Sequence, residues 1–366
     1  MDKLRARAET LKTARLLDVE PDALAFLGEL PAEDVRRFRG DCVATLHDRA
    51  PDMLDRIASA TKLVPAGVAA AISQKALGPR LAAAVAGRLE PARAADIIEK
   101  LPVSFTAESC AHLDPRRISG IVDRLDEDLL VRIAVALAER ADHITMGRFV
   151  GHLRDGALRR ILPQVADAVV LRTGFLVDSP ERLGHIVELM GAERLAAVIG
   201  TAAADGLWPE ALAVAGMVTG EQRGRIASLA AAQPPERLDP LVVTVAGQGL
   251  WESLLPLVAL LGEGELRTVA GLPSLRDPDV LGGVVPAVVA TGLWGEFLPL
   301  VEVLPSDSRR VVAARAAMLS DAELDALVRE VGKRDLWDLV LPLVELMDDA
   351  AKVRIFALPA FEDRPA

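Results

Sequence analysis

The sequence predicts an all-α chain of short helices stacked as an α-solenoid. Three observations predict it. The only four tryptophans fall at Trp208, Trp251, Trp294 and Trp337, each 43 residues after the last. Aligned on them, apolar residues recur at offsets of 3 and 4, the mark of one helical face. Nearer the start, a proline-led helix opening is repeated after 24 residues. Such units cannot bury their apolar faces singly, so stability must come from stacking each on the next.

Composition fits this architecture. Of 366 residues 51% are apolar and mean hydropathy is +0.28, yet aromatics are 3% and tyrosine is absent. Leu, Val, Ile and Ala must therefore fill the interior. Basic residues are 35 Arg to 7 Lys, a bias expected of a GC-rich bacterial genome. Residues 1–200 carry 29 acidic and 28 basic side chains, whereas residues 201–366 carry 24 and 14. The acidic second half is a poor partner for nucleic acid, which binds through an excess of Lys and Arg. A basic protein surface or divalent cations suit it better.

The elements follow in order. Residues 1–78 read as an N-terminal helical region. Leu4, Ala8, Leu11 and Leu17 give a first helix ringed by Lys3, Arg5, Arg7, Lys12 and Arg15. Its basic face is expected to be solvated. Contact of residues 1–20 with an acidic membrane surface, or with the acidic half of a second copy, stays open. Pro31 begins a second helix carrying Arg36, Arg37 and Arg39, Pro51 a third and Val64-Pro65 a fourth. The early charges Asp2, Lys3, Arg5, Arg7 and Glu9 leave no room for the apolar core of a signal peptide.

Residues 79–190 form the second region. Leu89-Glu90-Pro91-Ala92-Arg93 followed by Ile97, Ile98 and Leu101 returns as Leu113-Asp114-Pro115-Arg116-Arg117 followed by Ile121, Val122 and Leu125. Proline at the first helical turn and an acidic residue beside it both favour a helix start. Over about residues 80–165 this pattern resembles the cytoplasmic N-terminal superhelical domain of MgtE-type magnesium transporters, which is related to helical repeats of the flagellar switch protein FliG. The resemblance implies a right-handed stack of short helices. It brings no metal ligands and no transport function, since the CBS pair and membrane helices of those transporters have no counterpart here.

Residues 191–366 form four 43-residue repeats and a C-terminal cap. Leu195, Leu238, Leu281 and Leu324 stand 13 before each Trp, and Leu212, Leu255, Leu298 and Leu341 stand four after. Gly206, Gly249, Gly292 and Asp335 sit two before it, a suitable helix break. Pro256, Pro299 and Pro342 either kink the second helix or start it one turn late. A third segment begins near Arg225, Arg267, Arg310 and Arg354. Two or three helices per unit resemble HEAT or armadillo repeats. The tryptophans are expected to be structural, packing between adjacent helices.

Chemistry is sparse. The five histidines form neither HExxH nor a Cys/His zinc pattern, and Cys110-x-His112 is a lone pair. No P-loop, GxGxxG or GxSxG occurs. No cofactor, no metal and no catalytic residue is expected. The longest charge-free run, Val280 to Gly295, is broken by Gly282, Gly283, Pro286 and Gly292 and falls short of the ~18 residues of a bilayer span. The most distinctive stretch runs from Asp142 to His152, where the two repeat patterns meet. There His143, Arg148 and His152 form an anion or partner site on one reading. On the other, Gly147 and Gly151 permit close helix packing while the polar groups satisfy carbonyls.

The functional expectation is a non-catalytic cytoplasmic scaffold or adaptor that binds a protein partner through a curved surface. The alternatives are an apolar-ligand or peripheral membrane protein, and a divalent-cation sensor. Whether copies assemble is left open.

Overall fold

A computed structural model describes residues 2–47 and 51–362. Among them the chain is helical throughout, in α- and 3-10 segments with one π turn, and no strand occurs. It divides into two compact units, Asp2–Val198 and Ile199 onward.

In the first unit the helix Asp2–Leu17 packs on Ala32–His47. The expected solvated basic face holds for Lys3, Arg5, Arg7 and Arg15, which are exposed, and fails at Lys12, which is buried. The reason is electrostatic: Lys12 is drawn into an ion cluster described below. A continuous apolar core runs from Leu54 to Ile186, taking in residues on both sides of position 78. Both proline-led openings begin helical segments, Pro91–Ile98 and Pro115–Arg117 running into Ile118–Val122. In the second, the Asp114 carboxylate accepts from the Arg116 N–H at 3.0 Å, satisfying a donor the helix start leaves free.

In the second unit each tryptophan opens a helix: Trp208–Ala215, Trp251–Val258, Trp294–Val303 and Trp337–Glu345. The preceding break is left-handed backbone in all four cases, with φ of 69° at Gly206, 63° at Gly249, 70° at Gly292 and 54° at Asp335. That conformation suits glycine, and Asp tolerates it better than most residues. Because the helices start at the tryptophans, Pro256, Pro299 and Pro342 lie inside them. The late-start reading of these prolines is therefore corrected. A third helix follows each: Gly220–Ala231, Glu263–Ala270, Ser306–Ala317 and Asp349–Phe356. Helices contact mainly those two or three places along the chain, so packing is local and sequential.

Burial along this unit is uneven. Trp208, Trp251 and Trp294 are buried, whereas Trp337 is only partly so. Leu212, Leu255 and Leu298 are 1–3% exposed, but Leu341 is 45% exposed. Ala227, Ala270 and Ala313 are buried, while Phe356, which occupies the corresponding place, is 58% exposed.

Candidate functional site

The stretch singled out in the sequence folds as the helix His143–Val150, capped by Asp142. The Asp142 carboxylate accepts from the Thr145 N–H at 3.2 Å and from its hydroxyl at 2.8 Å. Both glycines are needed for close packing. A Cβ at Gly147 would lie 2.4 Å from the Leu176 carbonyl oxygen, and one at Gly151 would lie 2.5 Å from the Ser179 Cβ. The Gly147 carbonyl accepts from the Asp178 N–H at 3.2 Å, which locks the helix to the following turn.

Arg148 bridges backward. Its Nη1 donates to the Ala111 carbonyl at 3.1 Å and its Nη2 to that of Leu113, while Nε is buried without a partner. The Ala111 carbonyl is at the C-cap of the helix Val103–Cys110, where acceptors lack intrahelical partners, and that of Leu113 lies in the turn just past it. Burial holds the pKa of this guanidinium below the usual arginine value. His143 and His152 are each partly buried. Burial, with the nearby Arg172 charge, lowers the His143 pKa. Burial lowers that of His152 as well. In both, burial favours the neutral imidazole.

Beside this helix lies an ion cluster that the sequence did not foreshadow. Lys12 donates to the Asp178 carboxylate at 2.8 Å and pairs with Glu9 at 2.5 Å. Arg39 donates to the same Asp178 oxygen at 2.9 Å and to Glu9 at 2.9 Å. Two acids and two bases thus neutralise one another across segments more than 160 residues apart. Burial alone would raise the Asp178 pKa, but Lys12 and Arg39 outweigh it and hold the carboxyl below its ordinary 3.8.

Lys12 and Arg39 from the cluster, with Arg148, line a cavity of about 450 Å³. Arg15, Arg80, Asp18, His47 and His112 complete its charged and titratable lining. Of the three residues picked from sequence, Arg148 alone lines it; His143 and His152 lie elsewhere on the same junction. Arg80, His112 and His47 were missed because no local motif joins them. A second hollow of about 310 Å³ shares His47 and Ala84 with the first and is lined by Arg88, Arg116, Arg117 and Asp114.

Other candidates carry less. Cys110 is buried and its thiol is pushed up to about 12, so it offers no ready thiolate to a metal. Among the described residues no group of three or more His, Cys, Asp or Glu is placed to hold a metal ion, and no helix is long and apolar enough to cross a membrane. An apolar cavity lined by Trp208, Leu241, Leu257 and Leu272 measures about 50 Å³, far below the ~300 Å³ at which small-molecule pockets begin. The apolar-ligand alternative draws nothing from it. No known-family model matches the chain, and no curated protein or solved structure matches it either.

Proposed function

We propose that the protein is a non-catalytic helical-repeat scaffold that binds a protein partner. On this reading the second unit is an array of 43-residue modules of the HEAT or armadillo type. The first is a right-handed stack akin to the MgtE N-terminal domain, and the chain works in the cytoplasm of a bacterium. The fourth module carries the proposal. Positions buried in the three modules before it, those of Leu341 and Phe356, stand open, and Trp337 beside them is incompletely covered. Apolar side chains exposed at positions that are buried in the preceding modules mark a candidate interaction surface. The stacked helices leading to it supply the extended concave surface on which such arrays hold proteins.

The test uses the full chain as bait in native lysate, wild type against Leu341→Glu/Phe356→Glu. Both positions are exposed, so the variant keeps its helical circular dichroism. A stoichiometric protein retained by the wild type and lost by the variant supports the reading. Bait alone from both, or the same partner from both at equal yield, counts against it.

A further inference from the structure

The cavity walled by Arg148 has a charge balance that packing alone does not require. Lys12 and Arg39 line it already neutralised by Glu9 and Asp178. Among the described lining residues that leaves Arg15, Arg80 and Arg148 against Asp18, two positive charges in excess, or one when Asp142, 3.7 Å from Arg15, is counted. Among the described residues neither Arg80 nor Arg148 pairs with a carboxylate. Arg148 is tied to the Ala111 and Leu113 carbonyls, but gathering Arg15 and Arg80 around it brings together like charges whose mutual repulsion opposes compaction. Placed around about 450 Å³, a volume within the ~300–1,000 Å³ of small-molecule sites, they form a receptor for negative charge.

We infer that this cavity binds a small molecule bearing phosphate groups. Guanidinium forks match phosphate oxygens in pairs, and one phosphate carries about −1.5 to −2 charge at neutral pH, which offsets the surplus in a single group. In the adjoining hollow Arg116 is paired with Asp114 and Arg88 with Asp55, which leaves room beside Arg117 for a second phosphate. The local field leaves its trace on exposed His112. Partial burial and the charges of Arg80, Arg15 and Arg148 hold its imidazole below the usual value, against the opposing pull of Glu108. The site lies wholly in the first unit and goes beyond the scaffold reading, which rests on the open face of the second.

Titration calorimetry of the full chain against inorganic phosphate, pyrophosphate and tripolyphosphate tests it. Affinity is expected to rise in that order and to weaken with salt. Arg15 and Arg80 are exposed, so Arg15→Glu/Arg80→Glu should fold normally yet lose binding by roughly tenfold or more per charge, as charged hydrogen bonds do. Lys62→Glu/Lys100→Glu, an equal charge change at exposed positions outside the lining, should bind as the wild type does. Saturation with pyrophosphate should also raise the His112 pKa, read from its ring-proton NMR shift. Failure of every phosphate probe to bind overturns the inference. So does equal loss in the two double variants, which would make the effect one of net charge. Tighter binding of a hexaglutamate peptide than of tripolyphosphate would overturn it too, by making the site one for an acidic protein segment.

Discussion

Gly147 shows how little slack the first unit has. A methyl group there meets backbone, the Leu176 carbonyl, whereas one at Gly151 meets the side chain of Ser179, which can turn aside. Gly147→Ala should therefore destabilise the protein by about 1–3 kcal/mol or more and Gly151→Ala by visibly less, as overpacking costs do. Urea titration followed by circular dichroism distinguishes them, and equal losses would contradict the contact geometry. The tryptophans make a parallel comparison. Trp251→Ala should cost ~3–5 kcal/mol, the usual range for emptying a large buried site. Trp337→Ala should cost clearly less because that indole is incompletely covered. Acrylamide should quench Trp337 preferentially, so Trp337→Phe removes the accessible fraction of the emission.

At this scale much was legible. The glycine two residues before each Trp announces left-handed backbone, and even Asp335, the exception in sequence, adopts it. Hydrophobic periodicity located Leu238 and Leu281 in the core, where they are. Lys12 was misjudged because its neighbours in sequence make it one more base on a basic helix. Asp178, which decides its fate, is 166 positions away.

At the scale of elements, ion pairs and capping contacts tie helices that are not neighbours in sequence. Asp178 holds two helices, through Lys12 and through Arg39. Its folded pKa lies below 3.8. The stabilisation from its ionised form is therefore complete above that value and is lost as pH falls through the folded pKa. Asp178→Asn should cost about 3 kcal/mol at pH 7, the order expected when one partner of a buried pair is removed. The gap from wild type should stay flat down to about pH 4 and close in more acid solution. A gap that widens on acidification would refute the assignment of the cluster. None of this could be read from the linear pattern, because periodicity reports which face of a helix is apolar and not which distant side chain will meet it.

For the whole molecule, the second unit supplies the relevant prediction. If the helices form the proposed repeat array, stability is a sum of module and interface contributions, and among the described residues of this unit the helices from Trp337 onward carry the most exposed apolar positions. Hydrogen exchange should therefore run fastest in Trp337–Glu345 and Asp349–Phe356 and slowest in Trp251–Val258 and Trp294–Val303, since opening energy tracks local burial. Uniform protection across these helices would show that the array unfolds only as one body. The helix starts at Trp208, Trp251, Trp294 and Trp337 were visible in the sequence because one rare side chain marks each. The sequence could not reveal the cavity, whose Arg15, Arg80, His112 and Arg148 come from four separate helices or turns.

The bond made by Arg148 is one of a set. Arg93 reaches the carbonyls of Thr61 and Val64, Arg154 that of Leu125, Arg182 that of Gly151 and Arg194 that of Val165. In the second unit Arg354 repeats the arrangement on Ala317 and Leu319. These acceptors lie at or just past helix C-termini, where the rigid, flat fork of a guanidinium can hold two carbonyls in fixed geometry. The preponderance of arginine over lysine is thus a structural requirement as well as a compositional bias. Amine-directed labelling should leave the protein folded, while dicarbonyl reagents that consume guanidinium groups should loosen it stitch by stitch.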